Sequence, residues 1–452
     1  MKHLASLAAL LLAAITLHAG TPLLERLRRV PGVSNIQPIS VAPYEEAYLF
    51  DYQQRVDHAT PAKGTFPQRV SIAHRSFDAP VVAVLEGYAL GDTRESELSR
   101  LFSTNQLSIE HRFFNTSVPA TGIPWEELTI ARAAADHHEI IQAIKQHVYT
   151  GNAPWIATGI SKGGQTTLFH RYFYPLDVDV SVPYVAPFNH SLVDPRLAKF
   201  LARLGETPAQ RRKYGYIHVG GQESTVKILE FQHACFARLA SFVPRLETLA
   251  GEKGYTYQRA GGIERVMKLL ILEFPFAFWQ WSGDVEEIPL PDLEHDDDLF
   301  NYLVSVSPPG FFSDQEIDAI LPFYHAAFTE IGMYAYDFSP FRAYFKQEPD
   351  RRRIDFRFTI PDSIPLPPFN REQAMAINRW LQSDATRVLF IYGGRDPWSA
   401  TAANPGKNDK CKVYFKADAN HTCRISSFER VVQDDIISTL SSWLNRDTPR
   451  DE

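Results

Sequence analysis

The chain has 452 residues and a formal net charge of −7, with 44% hydrophobic and 12% aromatic residues, enough to bury a sizeable core. With no excess of Lys and Arg to neutralise phosphates, a nucleic-acid partner is not expected. Three cysteines, Cys235, Cys411 and Cys423, allow at most one internal disulfide and lack the spacing of a zinc site.

Residues 1–19 have the parts of a secretory signal: basic Lys2 and His3, an apolar run from Leu4 to Leu17, then small Ala19 and Gly20. The run is short for a bilayer span, and no later stretch approaches the roughly twenty apolar residues a span requires. The reading is a cleaved signal and an exported protein, secreted or periplasmic, with no membrane span. Residues 20–43, with Pro22, Pro31, Pro38 and Pro43, read as a polar connecting segment, and the fold proper begins near Tyr44.

Residues 44–188 alternate strands and helices. Tyr48 to Val56 and Gln68 to Ser76 alternate as exposed strands do, whereas Val81 to Leu85 is a β-branched run suited to a buried strand. It ends in Glu86-Gly87-Tyr88. Leu107 to Phe114 predicts the next strand, and Trp125 to His147 a long helix. Asp136, His137, His138 and Glu139 look metal-like, but consecutive helical residues do not share a face, so no metal is expected there. Trp155 to Ala157 then ends a buried strand, the helix behind it runs from Thr166 to Tyr174, and Val178 to Pro187 is another strand.

Residues 189–384 change character. Glu223 to Ala250, Gly262 to Trp281, Leu299 to Val306 and Asp314 to Tyr336 predict aromatic-rich helices, so this is a helical insertion and not more sheet. Asp296 to Asp298 lacks the spacing and glycine of a calcium loop. Residues 385–452 return to a buried strand, VLFIYGG, followed by Arg395, Asp396 and Pro397. Cys411 to Lys416 is the last strand, His421 follows it, and an amphipathic helix runs from Ser427 to Asn445. A Cys411–Cys423 bridge would staple the segment holding His421; a buried free thiol is the alternative.

The chemistry centres on the strand-to-helix turn WIATGISKGG, in which Gly159 to Gly163 fit Gly-x-Ser-x-Gly around Ser161. Such a turn exposes a nucleophile, and side chains at either glycine would collide with neighbouring elements. A Walker loop needs Gly-Lys followed by Ser or Thr, which this turn lacks. A serine hydroxyl needs an imidazole to take its proton and a carboxylate to hold that imidazole. Asp396 after a late strand and His421 past the final one supply both, in the serine, acid, histidine order of the α/β-hydrolase fold. Each placement has an ordinary reading as well, Asp396 as a helix cap and His421 as an exposed loop residue. In that fold the backbone N–H of Lys162, with that of Gly87 or Tyr88, would form the oxyanion hole. The Lys162 side chain adjoins Ser161 and is expected to be structural, and His111 and His170 have no acid at a plausible position.

WIATGISKGG, with FHRYFYPLDVDVSVPYVAP behind it, resembles the secreted bacterial tripeptidyl aminopeptidases, serine peptidases of the α/β-hydrolase clan. EHRFFNTSVP and FTEIGMYAYD are similar, more loosely, to prolyl carboxypeptidase and dipeptidyl peptidase II. The resemblance runs from about residue 45 to the C-terminus. It implies an α/β-hydrolase core with a large, mostly helical cap inserted before the last strands, the triad Ser161, Asp396 and His421, and a cap restricting entry to short peptides or unfolded protein N-termini, with no cofactor. The implied activity is removal of short peptides, tripeptides by the resemblance, from free N-termini. Such an enzyme must hold an ammonium group, and Glu86 and Glu330 are the candidate carboxylates, with a structural hydrogen-bond acceptor the equal alternative for either. The alternatives are an esterase or lipase of the same fold and an exported binding protein without chemistry.

Overall fold

The computed structural model describes residues 21–202, 204, 221–289, 295–346 and 353–445; the signal-like segment 1–19 lies outside them. Its strands are β1 (Val33–Pro38), β2 (Glu46–Arg55), β3 (Thr65–His74), β4 (Val81–Leu85), β5 (Asn105–Ile109), β6 (Trp155–Ile160), β7 (Val180–Tyr184), β8 (Tyr336–Asp337), β9 (Arg353–Ile354), β10 (Val388–Gly393) and β11 (Cys411–Lys416). β8 and β9 form a separate ribbon, and the other nine make one sheet ordered β1-β2-β3-β5-β4-β6-β7-β10-β11. β1, β2, β3 and β5 pair antiparallel in turn; every pair from β5 to β11 is parallel. This mostly parallel, helix-covered sheet is an α/β-hydrolase fold.

The apolar runs read from sequence form the buried centre because parallel strands are covered on both faces. Successive residues of β4 divide the work. Val81, Ala83 and Leu85 pack with Ile140, Ile141 and Ile144 of the Ile130–His147 helix. Val82 faces the other way, with Ile156, Val180, Leu389 and with Ile436 and Leu440 of the C-terminal Arg430–Leu444 helix.

Four sequence expectations change. The single helix expected over Glu223 to Ala250 is two, Gly221–Ala237 and Leu239–Lys253, parted at Arg238. Residues 20–43 are not a mere connector: a Pro22–Leu27 helix, capped by Thr21, buries Leu23 and Leu27 completely, and β1 extends the sheet edge. Edge strands need no apolar alternation, and β1 has none, so sequence pattern could not reveal it. The strand expected over Leu107 to Phe114 stops at Ile109. The chain then turns so that Arg112, wholly buried, grips Asp136 through Nε (2.7 Å) and Nη2 (2.6 Å) and donates to the carbonyls of Val56 and Glu127. Removing one partner of such a pair strands a buried charge, so Arg112→Met is expected to lower unfolding free energy by about 3–5 kcal/mol in a denaturant titration. Finally, the helix expected over Asp314 to Tyr336 is broken. Pro322 cannot continue the preceding helix, and the segment divides into Asp314–Ala319, Leu321–Ala326 and a π-turn at Ala327–Ile331.

Between β7 and β10 the described residues add no strand to the main sheet. They contribute helices at Pro195–Leu201, Gly221–Ala237, Leu239–Lys253, Ile263–Ala277, Asp296–Val306 and Arg371–Ser383, besides the broken segment. All three cysteines are free and buried: Cys411 Sγ lies against the Ala385 carbonyl and Cys423 Sγ against that of Tyr392, so no bridge staples the His421 segment.

Candidate active site

The parallel strands deliver their carboxyl ends to one edge, where α/β folds bind ligands. β6 runs into Ser161, which has φ 58° and ψ −120° and begins the Lys162–Phe173 helix. A left-handed φ at a non-glycine residue is strained, and here the Ser161 N–H donating to the Tyr184 carbonyl (2.9 Å) helps hold it. Space explains the neighbouring glycines. A Cβ on Gly159 would lie 2.3 Å from the Gly163 carbonyl oxygen, and one on Gly163 would lie 2.8 Å from that of Leu85. Gly87, after β4, is as tightly placed, since its Cβ would meet the Gly163 nitrogen at 2.6 Å.

Asp396 follows β10 and is fully buried. Its Oδ1 accepts the Trp398 N–H at 3.0 Å, capping the short Pro397–Thr401 helix, while Oδ2 lies 2.7 Å from His421 Nδ1. One carboxylate thus caps a helix with Oδ1 and meets the imidazole of His421 with Oδ2. Gly393 lets the acid strand approach the histidine loop, since a Cβ there would meet the Asn420 carbonyl at 2.2 Å.

A second π-turn, Phe278–Ser282, clamps the histidine loop from above. Gln280 accepts the His421 N–H (3.1 Å), the Trp281 carbonyl accepts Asn420 Nδ2 (2.7 Å), and Arg395 Nη1 donates to the Gly283 carbonyl (3.2 Å). The Trp281 indole stands edge-on to the His421 ring, 5.4 Å between centroids. Such π-turns often occur at functional sites.

Ser161 opens into a cavity of about 260 Å³ walled by Tyr88, Lys162, Trp281, Phe323, Tyr334 and Trp398 among others. Gln280 and Trp281, the residues that hold His421 and its neighbour, belong to the same wall. Among the described residues no hydrogen bond joins Ser161 Oγ to His421 in this conformation; nucleophile–base bonds commonly tighten only in the substrate complex.

Lys162 is 4% exposed. Its Nζ donates to the Gly87 carbonyl at 2.5 Å and sits over the rings of Tyr88 and Phe114, with no carboxylate on it among the described residues. Burial alone draws its pKa down to about 7. Its backbone N–H, at the first position of the helix, has no intrahelical acceptor. His170 does have an acid, Asp177 at 3.0 Å, contrary to the sequence reading, but neither residue lines the Ser161 cavity.

The carboxylates chosen from sequence for an ammonium group require correction. Neither Glu86 nor Glu330 lines the cavity. Glu330 accepts the Ile130 N–H at 2.7 Å, closing the start of the Ile130–His147 helix, and Glu86 lies toward Glu110; burial raises both pKa values to about 7. Nearness to a motif in sequence does not fix which way a side chain points. The carboxylate that does line the cavity is Glu273, which sequence reading missed. The signal was there: one glutamate interrupts the apolar helix LLILEFPFAFW, a costly place for a charge without a purpose.

Comparison with known proteins agrees with this architecture. Residues 19–434 match the model of the PS-10 peptidase S37 family. The chain is 30% identical over 412 residues to a prolyl tri/tetrapeptidyl aminopeptidase of Streptomyces mobaraensis, covering 89% of this chain and 80% of that one. Solved structures similar to it include a peroxisomal α/β-hydrolase of Saccharomyces cerevisiae (TM-score 0.39, 10% identity, 90% and 91% of the two chains) and a proline iminopeptidase of Mycobacterium smegmatis (TM-score 0.38, 11%, 90% and 98%). With the strained serine turn, the strand order and a family match spanning most of its length in agreement, the chain belongs to the peptidase S37 family of serine peptidases.

Proposed function

We propose that the protein is an exported serine exopeptidase that removes short peptides, three residues long by likeness to its relatives, from free N-termini. In this reading Ser161 Oγ attacks the scissile carbonyl while His421 Nε2 takes its proton, and Asp396 holds Nδ1–H and steadies the imidazolium. The N–H groups of Lys162 and of Gly87 or Tyr88 receive the oxyanion. His421 then protonates the leaving amine, and water hydrolyses the acyl-enzyme by the same steps reversed. The observation that carries the reading is the 2.7 Å Asp396–His421 bond, held at the sheet edge that presents Ser161 by a π-turn lining the serine's own cavity.

Residues 189–384 act as the cap, limiting the cavity to slender chains, and residues 1–19 direct export. No helix of the described residues is long and apolar enough to cross a membrane. The test is digestion of a peptide library by the purified protein, with fragments identified by mass. Short N-terminal fragments of constant length are expected from free peptides and none from N-acetylated ones. Internal cleavage without register, or hydrolysis of acyl esters alone, would replace the exopeptidase reading with an endopeptidase or esterase.

A further inference from the structure

We infer that Glu273 is an ammonium-binding site, its Oε1 atom receiving the α-amino group of a peptide whose scissile bond lies at Ser161. The inference rests on the peptidase reading above and names the group that would select free N-termini.

Glu273 is the only carboxylate among the described residues lining the cavity that holds Ser161. It projects from the Ile263–Ala277 helix and is 5% exposed. The hydroxyls of Tyr334 (2.8 Å) and Tyr336 (2.7 Å) both donate to Oε2. This arrangement fixes the plane of the carboxyl group and occupies one oxygen. Oε1 accepts nothing from the described residues and is not among the sealed, unsatisfied polar atoms, so it remains open to the cavity.

A carboxylate serving only to satisfy two tyrosines would have no need to face a binding cavity, and phenylalanines at 334 and 336 with an apolar residue at 273 would pack more cheaply. Among the described residues no Lys or Arg pairs with it. The only such residue in the cavity wall is Lys162, whose Nζ is committed to the Gly87 carbonyl. Burial holds the carboxyl group at a pKa of about 7. An arriving ammonium, by favouring the charged form, would draw the group into full ionisation, and the resulting pair would be shielded from water.

The experiment compares peptides with free and acetylated N-termini in two ways. In the wild-type protein, the free peptide is expected to inhibit labelling of Ser161 by a fluorophosphonate at a concentration at least about tenfold below its acetylated twin. In Glu273→Gln, kcat/KM for the free peptide is expected to fall about 30-fold or more, with KM rising, and the free-over-acetylated preference to collapse. Equal inhibition by the two peptides in the wild type, or an intact preference in a Glu273→Gln protein that still labels, overturns the inference. If the wild type labels but cleaves no peptide, the peptidase reading fails, and the inhibition comparison alone still decides the ammonium site.

Discussion

Ser161→Ala is expected to lower kcat on a peptide substrate by a factor on the order of 10⁴–10⁶ and to abolish fluorophosphonate labelling, with folding unimpaired. The size follows from the chemistry: without the hydroxyl no acyl-enzyme forms, and what survives is the assistance of the oxyanion donors and of binding. Folding survives because alanine adds no atom to the turn and the Ser161 N–H keeps its bond to the Tyr184 carbonyl. The checks are steady-state kinetics, active-site labelling and a circular-dichroism melt on the same preparation. Peptide cleavage within tenfold of the wild type, from protein free of contaminating peptidase, would remove Ser161 from the mechanism.

Lys162→Met is expected to lower kcat about 10²-fold or more with KM little changed. The Lys162 ammonium is the tie between the nucleophile turn and the loop after β4, because its Nζ holds the Gly87 carbonyl at 2.5 Å. In the proposed mechanism the loop holding that carbonyl supplies an oxyanion donor, and without the tie the loop can rotate and misalign it. Loss of one such donor costs roughly 10²–10³ in kcat. Methionine retains the length of the side chain and its packing against Tyr88 and Phe114, so the effect reports the lost hydrogen bond and charge.

The same variant carries a pH signature. Burial lowers the folded-state pKa of Lys162 to about 7, below its unfolded value, so between about pH 7 and the ordinary lysine range the unfolded chain binds more protons than the folded one. This group therefore makes the wild type gain stability as pH rises through that window, and Lys162→Met lacks the gain. Relative to wild type the variant should be most stable at pH 6 and lose ground toward pH 9 in denaturant titrations. A pH-independent difference would show that Lys162 is not held in the desolvated state described. A lysine maintained at such a cost to stability is the trade expected where function needs strained or desolvated groups.

Much of the fold around the proposed catalytic residues could be read without coordinates. The runs that become β4, β6 and β10 are apolar and β-branched because both faces are covered, and that composition survives in any linear reading. Gly159 and Gly163 stand out because a Cβ would strike backbone atoms that every chain with this turn possesses. Asp396 and His421 are placed by their position after strands, which depends on chain order and not on side-chain direction.

Tertiary structure decided what order cannot convey. The edge strand β1 carries no pattern because one of its sides meets solvent, and the break near Pro322 depends on whether neighbouring packing tolerates a kink. The choice of a carboxylate for the proposed ammonium site shows the limit most clearly. Glu86 and Glu330 lie beside conspicuous motifs but do not line the cavity, whereas Glu273, distant from any motif, lines it with Ser161. Sequence by itself determined where Ser161, Asp396 and His421 stand relative to β6, β10 and β11, since local backbone geometry and topology dictate those positions. Which glutamate faces the substrate was left to the packing of the helices between β7 and β10, because a helical side chain's direction is set by the neighbours that bury its other faces.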